Sequence, residues 1–437
     1  MKKKNINCVV LGSGFSSLVS TLRLIKNGYK PIVLDIGTHY LKKDGYSSIL
    51  KPFFYKKKIE EYSFFGGLSE VWKGVVAISS TSDLKDLYIK DKKNLLDVTL
   101  NLIKDYSFYT NEPVNNKIND FNFIELNKNQ VKKIFFSNQS WVGKPIFFCK
   151  KITGKKKIIP FETKSFFKDL IKSKKIKYIN GEALKVRAIN NYKYLFYKSK
   201  KNKINKLRYD FIFCGAGVLS SSRIINNSLN IKKNHINVNA NQKGLFLTIL
   251  KKKSFIDIKN SHPIYQGIIF NKGKAKIYIQ NYLFSQILYN FLPRLLKSIF
   301  LIISNLNIFN YLSITFVSID ANSNVAINDN NEINIKKKKI DKNLFKILIN
   351  RLNNLQKYFT IYSFGKFLPP LAGNHFGAIF SKKKNSLKLN RMGSVDGLQN
   401  FYIIDASSFN KVLCVPPTLI SMMHSYRITN SVMKKMI

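Results

Sequence analysis

Gly12, Ser13, Gly14, Phe15, Ser16 and Ser17 follow an apolar run, Cys8 to Leu11, and lead into a stretch with helical spacing. A strand that ends in a glycine turn and opens a helix aims unpaired amide N–H groups and the positive end of the helix dipole at one point. That arrangement suits a phosphate or diphosphate. Gly12 allows the turn out of the strand, and Gly14 lets the backbone approach the anion. Ser17 stands where such a cradle usually has a third glycine for helix–strand packing. The expectation is slightly looser packing there and an intact phosphate site. Asp35 closes the strand-like YKPIVLDIG, 23 residues beyond Gly12, where its carboxylate can accept bonds from ribose hydroxyls and would repel a 2′-phosphate. The spacing points to a nucleotide with a free ribose and leaves NAD and FAD both open.

The elements around this turn read as a βαβ unit: strand over 6–12, helix over 14–27, strand ending at Asp35. Further on, IKYINGEALKVRAI, YKYLFYKS and LRYDFIFCGAG read as three strand-like pieces. Residues 243–284 alternate as strands do, KNLFKILINRLNNLQKYF reads as a helix, and the tail carries one short strand, NFYIID, and a final helix. The uncharged stretch 298–319 contains three asparagines, so it reads as a buried or surface-lying helix followed by a strand, not as a membrane span.

Downstream motifs separate the two cofactors. YDFIFCGAGVLSSSRII ends a second apolar strand in the turn Gly215, Ala216, Gly217, which would let the chain pass close to a cofactor lying across the sheet. With FFGGLSEVWKG before it, and AGNHFGAIF and GSVDGLQNFYIIDASSF after it, the chain resembles the glucose–methanol–choline family of FAD oxidoreductases. Gly66, Gly67, Leu68 and Ser69, with Trp72, are similar to that family's flavin-facing Gly-Gly-x-Ser loop. Asn374 to Gly377 resembles its His-x-x-Gly active-site stretch. In Leu398 to Ser407, Asp405 and Ala406 match the segment that holds the ribityl-pyrophosphate portion. Val186 matches the position whose backbone meets the adenine, and Thr418, after Pro416 and Pro417, completes the implied cofactor set.

The resemblance implies oxidation of a CH–OH group, in an alcohol, a sugar or a glycoconjugate, to a carbonyl. Such chemistry needs a base for the hydroxyl proton and a hydride acceptor, flavin N5. His375 is the implied base, flanked by the small Gly373 and Gly377, with Asn374 beside it. The family's second His or Asn is missing: Pro416 stands in its place and has no donor to offer. A flavin-binding protein with little turnover, and a basic membrane-peripheral protein, remain as alternatives.

Composition supports a globular enzyme. The formal charge of +50 is spread over lysines from Lys2 to Lys435, which reads as solvated surface in preference to a nucleic-acid or anionic-membrane footprint. Cys8, Cys149, Cys214 and Cys414 show no paired spacing and no zinc pattern, so a reducing, cytoplasmic setting and no metal are expected. The basic-then-apolar start would pass for a signal peptide, but it overlaps the nucleotide turn, and the turn is preferred. Residues 287–316 mix Arg294 and Lys297 with apolar positions, giving a candidate peripheral membrane contact. The expected architecture is α/β: a Rossmann-like FAD-binding domain from 1–80, 176–235 and 365–437, with an antiparallel-sheet substrate domain from 81–175 and 236–364. The expected partners are a small alcohol or sugar and an electron acceptor that the residues do not name.

Overall fold

The structure, a computed structural model, describes residues 6–37, 65–70, 72–113, 121–136, 139–151, 158–231, 235–252, 262–292, 294–303, 306–328, 333–335, 342–355, 357–368, 376–378, 389–409 and 411–436. Strand β1 (Cys8–Leu11), helix α1 (Phe15–Lys26) and strand β2 (Ile32–Asp35) form the amino-terminal βαβ unit. They sit in a seven-stranded sheet of order Phe401–Ile403, Phe211–Cys214, β1, β2, Lys177–Ile189, Tyr192–Ser199, Ile204–Arg208. The first five strands run parallel and the last two add an antiparallel meander.

Both faces of the parallel strands are covered. Cys8, Val10, Val33 and Phe213 pack with α1 and the carboxy-terminal helix Thr418–Met436, while Val9, Leu11, Leu34, Ile212 and Cys214 pack with the helix Val218–Ser228. Double coverage requires apolar side chains at every position, which is why these strands read as unbroken apolar runs. Helix α1 meets the last helix through small hydroxyls. Ser425 Oγ donates to Ser16 O at 2.6 Å, and Thr429 Oγ1 donates to Ser20 Oγ at 2.9 Å. Short side chains on that face let the two helices lie close.

The second layer is antiparallel. Its eight-stranded sheet runs Phe359–Phe367, His235–Leu250, Leu312–Asn328, Lys274–Leu283, Tyr265–Asn271, Trp141–Gly143. Phe376–Ala378 adds to His235–Leu250, and Ile333–Ile335 to Leu312–Asn328. A three-stranded sheet, Phe121–Glu125, Tyr106–Pro113, Ile146–Lys150, lies beside it. The α/β class with an antiparallel second sheet is the one the sequence predicts.

Two elements differ from the sequence reading. The piece LRYDFIFCGAG divides into the end of Ile204–Arg208 and a separate strand Phe211–Cys214, because Tyr209 and Asp210 turn the chain from the meander back to the centre of the sheet. The helix expected over KNLFKILINRLNNLQKYF stops at Leu355, and Phe359–Phe367 becomes an edge strand. There Phe359 and Ile361 are buried against Leu250 and Leu352, and pairing with His235–Leu250 outweighs helical spacing.

Candidate functional site

Helix α1 and the helix Val218–Ser228 begin at the carboxyl ends of adjacent strands. From β1 the chain proceeds to β2 on one side, while Phe211–Cys214 lies on the other, so the two helix starts flank a topological switch point, the general ligand position of open parallel sheets. Gly14 caps α1 and Gly217 caps the second helix, and neither makes a side-chain cap bond of its own; at the second start the Asp405 carboxylate takes up Gly217 N. The first turn of each helix therefore keeps N–H groups without intrahelical partners.

The glycines divide the work. Gly12, at φ +88°, packs so tightly on the second turn that an added Cβ would lie 2.6 Å from Gly215 O. Around Gly14 and Gly217, by contrast, no atom of the described residues beyond their chain neighbours lies within 4 Å of an added Cβ. Gly12 holds the two turns together, and Gly14 and Gly217 leave backbone open for a ligand.

A chain of hydrogen bonds fixes the rim. Gly66 N donates to Ser13 Oγ at 2.7 Å, and Ser13 Oγ donates to Asp35 Oδ2 at 2.8 Å. Gly37 N donates to Asp35 Oδ1 at 2.7 Å. Burial pushes the Asp35 carboxyl up, while the bonds from Ser13 and Gly37 act to hold it down. The carboxylate, with about four acceptor sites in all, keeps room for a further hydroxyl beside the Ser13 and Gly37 donors. Gly67 sits against Gly14, with an added Cβ only 3.7 Å from Gly14 Cα. Ser69 Oγ donates to Gly66 O at 2.8 Å and accepts from Thr163 N at 3.0 Å. Phe15 turns its ring edge-on to Trp72, with centroids 4.8 Å apart, so both aromatics belong to the packing beneath the turn.

Ser17 corrects the expectation of looser packing. It is fully buried, and its Oγ lies 3.0 Å from Leu11 O and 3.3 Å from Gly215 O. The hydroxyl thus bridges the ends of two parallel strands, a bond that a third glycine could not make.

Asp405 joins two separated segments. Its Oδ2 accepts from Gly217 N at 2.8 Å and Ser221 Oγ at 3.0 Å, and its Oδ1 accepts from the N–H and hydroxyl of Ser407. Burial raises its pKa, against those four bonds. Ala216 lies between the two strand-end glycines, and Ala406 follows Asp405 in a short turn. Val186 is buried beside the second helix, with its N–H given to Ser228 Oγ at 2.8 Å. Thr418 opens the last helix and is half-buried.

His375 and Asn374 lie outside the described residues. Their chain neighbours Phe376 and Gly377 pair with Ala240 and Asn239. An added Cβ at Gly377 would lie 3.1 Å from Ala406 O, so this strand closes on the Asp405 turn. A small apolar cavity lined by Phe409, Val412, Leu413, Val415 and Pro417 adjoins it. Pro416 is buried there, and His424 is a core residue: Nε2 pairs with Ser408 Oγ at 2.6 Å, and burial, then Arg427, keep its pKa well below the usual range.

Sequence reasoning missed Thr163 and Asn241. Thr163 Oγ1 donates to Ser13 O at 2.6 Å and so ties the phosphate turn to the Gly66 loop. A threonine ahead of the apolar KSFFKDLI is a helix-start signal that could have marked it. Asn241 sits at a register shift of the long strand, next to Ala240. Its Nδ2 donates to Leu413 O, while its buried Oδ1 has no partner among the described residues. Nothing in the sequence signals that orphan oxygen.

The described residues contain no cluster of three or more His, Cys, Asp or Glu suited to a metal. What they do contain fits a dinucleotide: open glycines, a start to α1 without a side-chain cap and an acid with acceptor room to spare. No family model and no curated protein matches the sequence. Among solved structures, pyridoxine 4-oxidase from Mesorbium loti matches with a TM-score of 0.63 over 98% of this chain and 99% of that one, at 11% identity. The likeness establishes the fold from end to end.

Proposed function

We propose that the protein is an FAD-dependent oxidoreductase of the glucose–methanol–choline type that oxidises a CH–OH group of a small alcohol or sugar to a carbonyl. The observation that carries this reading is the start of α1 at the switch point, with no side-chain cap and with open space beside Gly14. The shared fold with a protein named as an oxidase supports it. The four free thiols, all buried, support a reducing, cytoplasmic setting.

Gly12 to Ser16 and the α1 start hold the diphosphate, Asp35 binds ribose, and the Gly67–Ser69 loop and the Gly215–Gly217 turn enclose the remainder. Asp405 and Ala406 set the third wall, and Val186 and Thr418 complete it. FAD, when bound, supplies the hydride acceptor. His375 takes the hydroxyl proton on an imidazole nitrogen. Asn374 orients the substrate hydroxyl, and its side-chain NH₂ supplies the donor that Pro416 lacks.

Anaerobic addition of alcohols and sugars to the FAD-loaded protein tests this. At least one compound should bleach the flavin, and His375→Ala should keep FAD and lose bleaching. An unchanged rate in His375→Ala removes it from the chemistry. A second reading, flavin binding with little turnover, rests on Pro416, and it predicts bound FAD that no alcohol bleaches.

A further inference from the structure

The sheet face that carries Leu245, Tyr282 and Ile314 has exposed apolar side chains beside a helix that follows it. Helix Arg294–Ile303 is anchored by the buried Phe300, whose ring meets Phe309 edge-on with centroids 5.8 Å apart. That anchor turns Leu296 and Ile299 outward, and the following turn adds Leu306 and Ile308. Exposure of these four side chains runs from 47% at Leu296 to 61% at Ile308. Backbone bonds join this turn to the neighbouring strand. Tyr311 N donates to Ile308 O at 3.1 Å, and Leu250 N donates to Tyr311 O at 2.8 Å. Leu247 and Ile249, two apart on one strand face, are also exposed, and Ile249 pairs with Leu312.

The surroundings of this surface are cationic. Segments 243–252, 284–319 and 357–368, which build it, contain no Asp or Glu. Lys251, Lys252, Lys357 and Lys366 are exposed there, and Lys297 lies on the helix itself with its ammonium 5.1 Å from the Tyr289 ring. Exposed leucine and isoleucine are ordinary singly, but gathered in a patch they mark a docking surface. Its occupant must be apolar at the centre and anionic around it. A second copy of this chain fails that requirement, because it too carries +50 and would bring lysines against lysines.

We propose that this face docks the protein onto an anionic lipid bilayer. Leu296, Ile299, Leu306 and Ile308 enter the headgroup–acyl boundary, and the lysines engage lipid phosphates and carboxylates. The attachment is peripheral, since no described helix is long and apolar enough to cross a membrane. The site-forming end of the strand, at Ala240, lies nine residues from Ile249, about 30 Å along an extended chain. Docking does not depend on the flavin reading.

Co-sedimentation of the full chain with phosphatidylcholine vesicles, with and without about a third phosphatidylglycerol, tests the proposal. Binding should require the anionic lipid and weaken with salt. Ile299→Ser with Ile308→Ser, and separately Lys251→Glu with Lys252→Glu, should each lower vesicle affinity at least ~10-fold. Thermal melting should be unchanged, because all four side chains face solvent. Failure to bind anionic vesicles would overturn the proposal, as would full binding by the serine variant. A lipid-free dimer that the serine variant dissociates would also overturn it, assigning the face to a second copy.

Discussion

Replacing Gly14 by alanine separates the cradle's ligand-binding role from its structural one. Gly14 adopts φ −76° and ψ −172°, which alanine tolerates, and an added Cβ meets no atom of the described residues beyond its chain neighbours within 4 Å. Two small terms act on the unliganded protein. Alanine is a poorer helix cap than glycine, costing about 0.5–1 kcal/mol. It also reduces the freedom of the unfolded chain, returning about 0.4–1 kcal/mol. The melting temperature should therefore move by no more than about 2 °C. Ligand binding should respond differently. The methyl holds non-bonded atoms at about 3.5–4 Å, beyond hydrogen-bond range of the turn's N–H groups. Losing one charge-assisted bond costs about 1.5–3 kcal/mol, a fall in FAD affinity of about 10- to 150-fold. Gly12→Ala is the contrast: at φ +88° and 2.6 Å from Gly215 O it should damage the fold itself. Equilibrium titration of apoprotein with FAD, followed by fluorescence quenching, reads the effect. A Gly14→Ala protein of unchanged stability that binds FAD within about threefold of wild type would refute the placement of the phosphates.

Three other changes probe the frame. Ser17→Ala should destabilise by about 1–2 kcal/mol, read by urea melts, because it removes a buried hydroxyl that bridges Leu11 O and Gly215 O, yet flavin absorbance should survive. Asp405→Asn should cost about 2–3 kcal/mol and weaken FAD retention, since an amide NH₂ would face donors among Gly217, Ser221 and Ser407. Stability should fall on acidification below pH 6.5. Burial keeps folded His424 neutral and pushes His262 down to about 4, so the unfolded chain takes up their protons first. This contribution is complete above 6.5 and disappears as pH drops, and melts of His424→Gln between pH 7.5 and 5.5 should show a shallower decline.

The sequence made the doubly covered strands legible, because Val9, Val10, Leu11, Ile212 and Phe213 must all be apolar when both faces are packed. Gly12 and Gly217 were legible for a similar reason, since few residues can take their positive φ. Ser17 was misjudged because its acceptor Gly215 lies 198 positions away and only the folded sheet brings them together. Asp405 was visible as an acid after a strand, but its bonds to Gly217 and Ser221 again require the assembled fold. The strand Phe359–Phe367 was hidden by its helical neighbour, and its edge pairing with His235–Leu250 is a tertiary decision. Asn241 gave no signal at all, because an orphan oxygen exists only once a strand has shifted register beside Leu413.

The most direct test of the central claim is the visible spectrum of the purified protein before and after denaturation. The account predicts flavin bands at about 370 and 450 nm, with FAD released on unfolding or taken up by the colourless apoprotein on addition. A folded protein that is colourless and does not bind added FAD would contradict it.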